Sequence, residues 1–114
     1  MIVKRGEIWF ANLNPTRGTE QSGFRPVVIF QADIINKFSS TVLAIPLTTN
    51  LERTSLPTCV LVSKGEGNLS NDSVVLCHQV RVLDKKRLQK RIGSLGSQML
   101  TVIENRMLIT MGIV

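Results

Sequence analysis

The side chains best suited to chemistry lie in one loop, PTRGTEQSGFRP, at residues 15–26. Two prolines bound this loop and two glycines lie within it. Pro26 restricts the preceding residue to an extended backbone, so Arg25 is predicted to lie where the loop enters a β-strand. A guanidinium anchored there could donate two parallel hydrogen bonds to phosphate oxygens while keeping its charge. A single arginine at a strand start is more often a solvated surface charge, so this observation alone leaves both interpretations open.

The residue sets of the commoner enzyme mechanisms are missing. His78 is the only histidine and the acidic residues are scattered, so no metal site is expected. The sequence has no glycine-rich phosphate loop and no nucleophile elbow, and no cofactor is expected. If the chain is an enzyme, the nucleophile must therefore come from its substrate. RNA carries one, because its 2'-hydroxyl can attack the adjacent phosphorus once the chain is positioned, protons are moved and charge is stabilised.

Composition limits the class of protein and of partner. The 114 residues, 43% hydrophobic and 19% charged, are typical of one globular domain spanning residues 1–114, with one hydrophobic core. A net charge of +6 and a pI of about 10.0 favour an acidic or polyanionic partner, of which nucleic acid is the commonest. The N-terminus resembles no signal peptide, and no apolar stretch approaches the ~20 residues that span a bilayer. We therefore expect a soluble, cytoplasmic protein without a membrane partner, in which Cys59 and Cys77 are reduced and buried.

Short apolar runs separated by turn residues predict a small antiparallel sandwich or barrel. Most runs are apolar on both faces, so both faces are expected to be covered, as in a closed barrel or at a dimer interface. Pro46 is expected at a strand edge or a bulge, because proline cannot donate to a ladder. The predicted strands are Glu7–Leu13, Pro26–Ala32, Thr41–Leu47, Thr58–Val62 and Ser73–Leu83.

The last part of the chain changes its apolar period from two to between three and four residues. Leu100, Ile103, Met107 and Met111 follow this spacing and predict an amphipathic helix of about four turns, with Ser97 as its N-cap. The basic segment 84–91 before it is expected to form a helical turn. Its charges either bind RNA phosphates or merely keep a surface soluble, and a charge run is usually the latter.

Several motifs, in order, resemble the MazF/PemK-type toxin endoribonucleases over essentially the whole chain. They are Arg5-Gly6-Glu7-Ile8-Trp9-Phe10, Asn14-Pro15, Gly18-Thr19-Glu20-Gln21 with Gly23 and Arg25-Pro26, Pro46-Leu47-Thr48-Thr49, and Ser73 to Arg81 followed by Leu83-Asp84. The resemblance implies a mainly β (α+β) fold, an SH3-like antiparallel β-barrel with short helices and a C-terminal α-helix, acting as a homodimer. It also implies sequence-specific, metal-independent cleavage of single-stranded RNA (mRNA) and inhibition by a cognate acidic antitoxin.

The same resemblance assigns roles to individual residues. Arg25 corresponds to the catalytic arginine and Thr48 to a hydroxyl residue that orients or stabilises the phosphate. The implied RNA-binding residues are Glu20 and Gln79, with Gln21, Arg5 and Arg81 as weaker candidates that could equally be structural or general phosphate contacts. Phe24 is added to the RNA-binding set because of its position beside Arg25. Phe24 is the best-placed ring for base stacking, although it could equally be a core or interface residue.

His78 departs from the family pattern, in which an acidic residue often precedes the equivalent of Gln79. Its imidazole suits proton transfer near neutral pH, so one hypothesis makes it a catalytic proton shuttle; the other makes it a base contact. Strand alternation would place His78 and Gln79 on opposite faces unless the strand bulges. The general acid and base stay unassigned.

Two further hypotheses for the whole protein remain open. One is a non-catalytic binding module on the same barrel, either a gyrase-poisoning toxin or an RNA-binding protein that does not cut. The other is a family member that has lost catalysis, suggested by the change at His78. The combination of Arg25 and Thr48 favours cleavage over both.

Overall fold

Seven antiparallel β-strands and a C-terminal helix form the fold in the computed structural model, which describes residues 1–114. The strands are β1 (Glu7–Asn12), β2 (Phe24–Ile29), β3 (Thr41–Thr48), β4 (Cys59–Val62), β5 (Ser73–Leu76), β6 (Arg81–Asp84) and β7 (Leu88–Ser94). The helices are α1 (Asp33–Asn36) and α2 (Ser97–Thr110), with 3₁₀ turns at Leu51–Ser55, Glu66–Asn68, Cys77–Gln79 and Lys85–Arg87.

The strand order is β4-β5-β3-β2-β1-β7, and β6 also pairs with β3. The path ends at β4 and β7 without closing, so the term barrel describes this mainly antiparallel sheet only loosely. β3 is the central strand: β2 lies on one side of it, and β6 and β5 share the other. Pro46 is therefore in an interior strand, and the expectation of a strand edge is wrong, whereas the alternative of a local irregularity agrees with the pairing. It lies between the stretch paired with β6 and the stretch paired with β5, where the ladder on that side is interrupted.

The central strands contribute alternate residues to two hydrophobic clusters, one on each face. Ile8, Val28 and Ile45 belong to the cluster that α2 covers with Ile103 and Met107. Their neighbours along the strands belong to the second cluster, which contains Trp9, Val27, Ala44, Leu83 and Leu88. The expectation that both faces are covered is confirmed. The expectation of one core is wrong, because the sheet separates the two clusters.

The predicted strand Ser73–Leu83 is interrupted. Val74 pairs with Thr48 before the Cys77–Gln79 turn, and Arg81 pairs with Ala44 after it. Val74 and Arg81 are seven residues apart, whereas their partners in β3 are only four residues apart. The turn accommodates the three extra residues. An apolar pattern cannot reveal such an insertion, because both sides of it stay buried.

The end of the chain differs from its prediction in two details. Within the basic segment only Lys85–Arg87 forms a helical turn: Asp84 ends β6, and residues 88–91 begin β7. The charged side chains of β7 obscured its strand character, and its pairing with β1 establishes it. α2 has the predicted length, but Gly96 occupies the N-cap and Ser97 is the first helical residue. Both cysteines are buried and free, as expected.

Candidate active site

Arg25 and Thr48 line one cleft of about 220 Å³, hereafter the Arg25 cleft. Val27 pairs with Pro46 in the antiparallel β2–β3 ladder. Continuing this register, Arg25, two residues before Val27, lies opposite Thr48, two residues after Pro46. The remaining residues of the cleft are Phe24, Pro26, Leu47, Thr49 and Ser73. No carboxylate lines it, so an anion would meet a positive charge without a competing negative one.

The loop before β2 holds the Arg25 side chain in place. Its Nε donates a hydrogen bond to the Ser22 carbonyl at 2.7 Å, and its terminal nitrogens make no hydrogen bond or ion pair with the protein. Gly23 adopts a φ of +78°, which a side chain would strain. The Asn14 side chain accepts from the Gly23 N–H at 3.1 Å, and the Leu13 N–H donates to the Gly23 carbonyl at 2.8 Å. The guanidinium is thus anchored through Nε with two nitrogens free to bind phosphate.

The Thr48 hydroxyl lies at the end of β3 and is largely buried, at 7% exposure. Its oxygen accepts a hydrogen bond from the Asn50 N–H at 3.1 Å. Because that contact uses only a lone pair, the hydroxyl proton stays available as a donor. The arrangement suits a hydrogen bond to a phosphate oxygen held by Arg25.

A second cavity of about 360 Å³, hereafter the Gln79 groove, adjoins the Arg25 cleft along β3. Pro46 lines the groove and the next two residues line the cleft. The groove brings together five residues that the sequence singled out, from the loop before β2 and from the segment between β5 and β6: Glu20, Gln21, His78, Gln79 and Arg81. Because His78 and Gln79 lie in a 3₁₀ turn, the alternation of a strand does not separate them, and both reach the same groove.

Hydrogen bonds orient these side chains. Gln79 accepts from the backbone N–H of Gln21 at 2.7 Å, which joins the two walls of the groove. The Gln21 side-chain oxygen is buried and has no partner. Such an unsatisfied acceptor costs roughly 1–3 kcal/mol unless a ligand pairs with it. His78 Nδ1 lies 2.9 Å from the Thr58 hydroxyl, which holds the ring against β4.

Arg5 and Arg81 were both predicted to bind RNA, but only Arg81 lies in a cavity of the candidate site. Arg5 lines neither cavity: it forms an ion pair with Glu104 at 2.8 Å and stacks over Phe30 with its guanidinium carbon 4.8 Å from the ring centroid. Arg81 lines the Gln79 groove, and its Nη1 also donates to the Leu13 carbonyl at 3.2 Å. Arg5 therefore tethers α2 to the sheet, whereas Arg81 both braces the Arg25 loop and faces the groove.

Two titratable groups are perturbed away from the cavities. Burial, followed by the neighbouring Cys59, raises the pKa of Cys77 to about 11, so this thiol stays protonated at neutral pH. Burial also raises the pKa of Glu7, but hydrogen bonds from the Lys4 N–H, Arg91 and Trp9 outweigh it, and the net pKa is lowered. No group of three or more histidine, cysteine or acidic side chains is arranged to hold a metal ion.

The family model described as "PemK-like, MazF-like toxin of type II toxin-antitoxin system" matches residues 4–111 of this sequence. The chain belongs to this family. The endoribonuclease MazF of Staphylococcus epidermidis is 38% identical over 112 residues, which cover 98% of this chain and 93% of that protein.

Solved structures share the fold. MazF from Deinococcus radiodurans (Form-I) superposes with a TM-score of 0.85 at 22% identity, covering 98% of each chain. An endoribonuclease in complex with its cognate antitoxin, from a Mycobacterial species, superposes with a TM-score of 0.82 at 20% identity, covering 98% of this chain and 97% of that one. The predicted family and the mainly β fold with a C-terminal helix are confirmed.

Four polar residues of this PemK/MazF-family chain line the cavities although the sequence assigned them no role: Thr19, Thr49, Arg53 and Ser73. Thr49 lies within a quoted motif, directly after Thr48, which was the available signal. Arg53 lies in the 3₁₀ turn after β3, and nothing in its neighbours distinguishes it from a solvated arginine.

None of the helices is long and apolar enough to span a bilayer.

Proposed function

We propose that this chain is a sequence-specific, metal-independent endoribonuclease that cleaves single-stranded RNA through attack of the 2'-hydroxyl, and that it is the toxin of a toxin–antitoxin pair. The observation that carries the proposal is that Arg25 and Thr48 line one cleft, with the terminal guanidinium nitrogens free. Beside that cleft lies a groove of side chains able to hydrogen-bond to bases. Membership of the family supports the same activity.

In the proposed reaction the scissile phosphate enters the Arg25 cleft. The 2'-oxygen forms a bond to phosphorus while the bond from phosphorus to the 5'-oxygen breaks, leaving a 2',3'-cyclic phosphate and a 5'-hydroxyl. Negative charge grows on the non-bridging oxygens, where the Arg25 nitrogens and the Thr48 hydroxyl donate. Preorganised donors aimed at developing charge are usually the largest contribution to such catalysis.

Two protons must also move, from the 2'-hydroxyl and to the leaving 5'-oxygen. No histidine or carboxylate lines the Arg25 cleft, whereas Glu20 and His78 line the adjoining Gln79 groove. His78 is exposed and is held through Nδ1 by the Thr58 hydroxyl, which leaves Nε2 to meet RNA. Because His78 does not line the Arg25 cleft, we favour a base or phosphate contact over a proton shuttle for this residue.

The Gln79 groove is the proposed base-reading surface. Single-stranded RNA is distinguished by hydrogen bonds to splayed-out bases and by stacking on aromatic rings. The unpaired Gln21 amide oxygen can accept from a base amino group, and Glu20, Gln79 and Arg81 supply the other hydrogen-bonding groups. The Phe24 ring, 53% exposed, offers a stacking surface at the edge of the cleft.

The decisive test is incubation of the purified protein with long single-stranded RNA in EDTA. We expect fragments ending in 2',3'-cyclic phosphate from the wild-type protein and none from Arg25→Ala. Arg17→Ala is the matched control, because Arg17 is an exposed arginine of the same loop that lines neither cavity, and it should cleave normally. Binding without cleavage would favour the non-catalytic module, and equal loss in both variants would contradict the assignment of Arg25.

The proposal extends to partners and assembly. The single domain would act as a cytoplasmic homodimer inhibited by an acidic antitoxin; the net charge of +6 suits such a partner. Large apolar side chains exposed at the N-terminus and just after α1, including Ile2 and Phe38, would be covered by the second copy or the antitoxin. Light scattering should give about twice the chain mass of 12.7 kDa. A monomer at the concentrations used for cleavage would contradict the dimer.

A further inference from the structure

A third cavity, of about 530 Å³, lies beside the Arg25 cleft and is assigned no role by the mechanism above. Pro26 lines both cavities. The Phe10 ring of this cavity stacks on the Phe24 ring of the cleft, with centroids 6.1 Å apart and planes 21° from parallel. The two cavities are therefore joined across an aromatic pair. We call the third one the Lys90 groove.

The floor of the Lys90 groove is a row of side chains across three adjacent strands. Phe10 of β1 pairs with Pro26 of β2 on one side and with Lys90 of β7 on the other. The pairing of β7 with β1 shifts register on either side of the two consecutive residues Lys90 and Arg91. Both of these basic residues line the groove. The row thus leads from an aromatic and apolar surface near the cleft to a positively charged end.

The far wall of the groove is held rigidly against β7. The turn that carries Asn68 approaches so closely at Gly93 that a Cβ there would lie 2.3 Å from the Gly67 carbonyl oxygen. The Asn68 side chain donates to the Ile92 carbonyl at 3.0 Å. Close backbone packing and a hydrogen bond therefore define this wall of the groove.

Charge distinguishes the two basic residues. Arg91 donates to the Glu7 carboxylate at 2.6 Å and to the Ser94 hydroxyl at 2.8 Å, so its charge is largely balanced. Lys90 is exposed and its ammonium has no protein partner, and no carboxylate lines the groove. Lys90 therefore supplies the uncompensated positive charge of the groove.

We propose that the Lys90 groove binds the nucleotides of single-stranded RNA that flank the scissile phosphate, with a base against the Phe10–Phe24 pair and a phosphate on Lys90. An aromatic surface beside a cation is the usual combination for single-stranded nucleic acid. A volume of about 530 Å³ falls within the range of roughly 300–1,000 Å³ found for small-ligand sites. This inference rests on the proposed RNA cleavage and adds a second binding surface to it.

The test compares Lys90→Ala with Lys86→Ala on two RNAs that contain the mapped cleavage site, one with six extra nucleotides on each side and one without them. Lys86 is the matched control, because it is also exposed, lies in the same basic segment and lines none of the cavities. One phosphate contact contributes ~0.7 to the slope of log affinity against log salt concentration. Such a contact therefore strengthens RNA binding about fivefold at 0.1 M salt relative to 1 M salt, and its loss removes that gain. We expect Lys90→Ala to lower kcat/KM about fivefold at 0.1 M on the extended RNA and to leave the short RNA unaffected.

Each other outcome is informative. Equal effects of Lys90→Ala on the two RNAs, or equal effects of the two variants, would overturn the groove while leaving the cleavage intact. Unchanged cleavage with weaker inhibition by an acidic antitoxin would assign the groove to a protein partner and would also overturn the proposal. Failure of the wild-type protein to cleave any RNA would instead contradict the proposed function, and this result is distinct from the others.

Discussion

Replacing Arg25 with lysine separates the geometry of the guanidinium from its charge. In the structure Nε is committed to the Ser22 carbonyl at 2.7 Å, and the two terminal nitrogens are free for phosphate. A lysine has one nitrogen for both tasks. If Nζ replaces Nε at Ser22 it no longer reaches the phosphate well, and if it binds the phosphate the anchor is lost.

The size of the effect follows from the donors removed. Loss of one preorganised donor to a developing oxyanion usually lowers kcat by about 100-fold to 1,000-fold, or roughly 3–4 kcal/mol. Because Arg25→Lys keeps the positive charge, ground-state attraction for RNA should change little. We therefore expect kcat to fall about 100-fold while KM stays within about threefold.

The assay is single-turnover cleavage of an end-labelled RNA at saturating protein, with Arg17→Lys as the control for charge and loop position. A kcat for Arg25→Lys above about one third of wild type would refute the argument, because it would mean that two nitrogens and the Ser22 anchor are not needed. A comparable fall in Arg17→Lys would show that the measured effect reports the loop and not the cleft.

Three further predictions concern other parts of the molecule. Thr48→Val should lower kcat about 100-fold because it removes a donor to phosphate, whereas Thr48→Ser should retain most activity; equal rates in both variants would exclude a role for the hydroxyl. Glu7→Gln should lower the unfolding free energy by about 2 kcal/mol and Tm by about 8 °C at neutral pH. Since the folded-state pKa of Glu7 lies below its ordinary value of 4.5, the carboxylate stabilises the fold above that pH. The stability difference from wild type should therefore shrink as the pH falls through the lowered pKa, and a difference that persists in acid would point to packing. His78→Ala should slow cleavage less than about tenfold and keep the shape of the pH–rate profile, whereas loss of a limb near neutral pH would restore the proton shuttle.

Much of the fold could be predicted from the spacing of apolar residues. The apolar runs Glu7–Leu13 and Thr41–Leu47, bounded by turn residues, predicted strands that the structure has within about one residue of those bounds. The three-to-four spacing after Ser97 correctly predicted a helix. Pattern alone could not detect the turn at Cys77–Gln79, because the pairing that interrupts the strand is made with β3. It also missed β7, where charged side chains face outward and pairing with β1 supplies the stability.

The candidate site shows the same division. Arg25 and Thr48 were singled out by motif, and local chemistry accounts for Arg25 at the start of β2, because Pro26 enforces an extended backbone. The antiparallel register of β2 and β3 is needed to bring them into one cleft, although they are far apart in the chain. Arg5 matched a motif equally well, yet the structure commits it to Glu104.

The loop around Arg25 is where both contributions can be seen together. Its residue types, its prolines and glycines, and the absence of any metal motif or nucleophile elbow can be read directly from the amino-acid order, since they depend only on composition and near neighbours. The folded chain adds three facts: the Arg25 terminal nitrogens are free, His78 lies in the neighbouring groove, and Lys90 lies beside an aromatic row. Those facts depend on strand register and on competing partners distant in the chain, which no local pattern encodes.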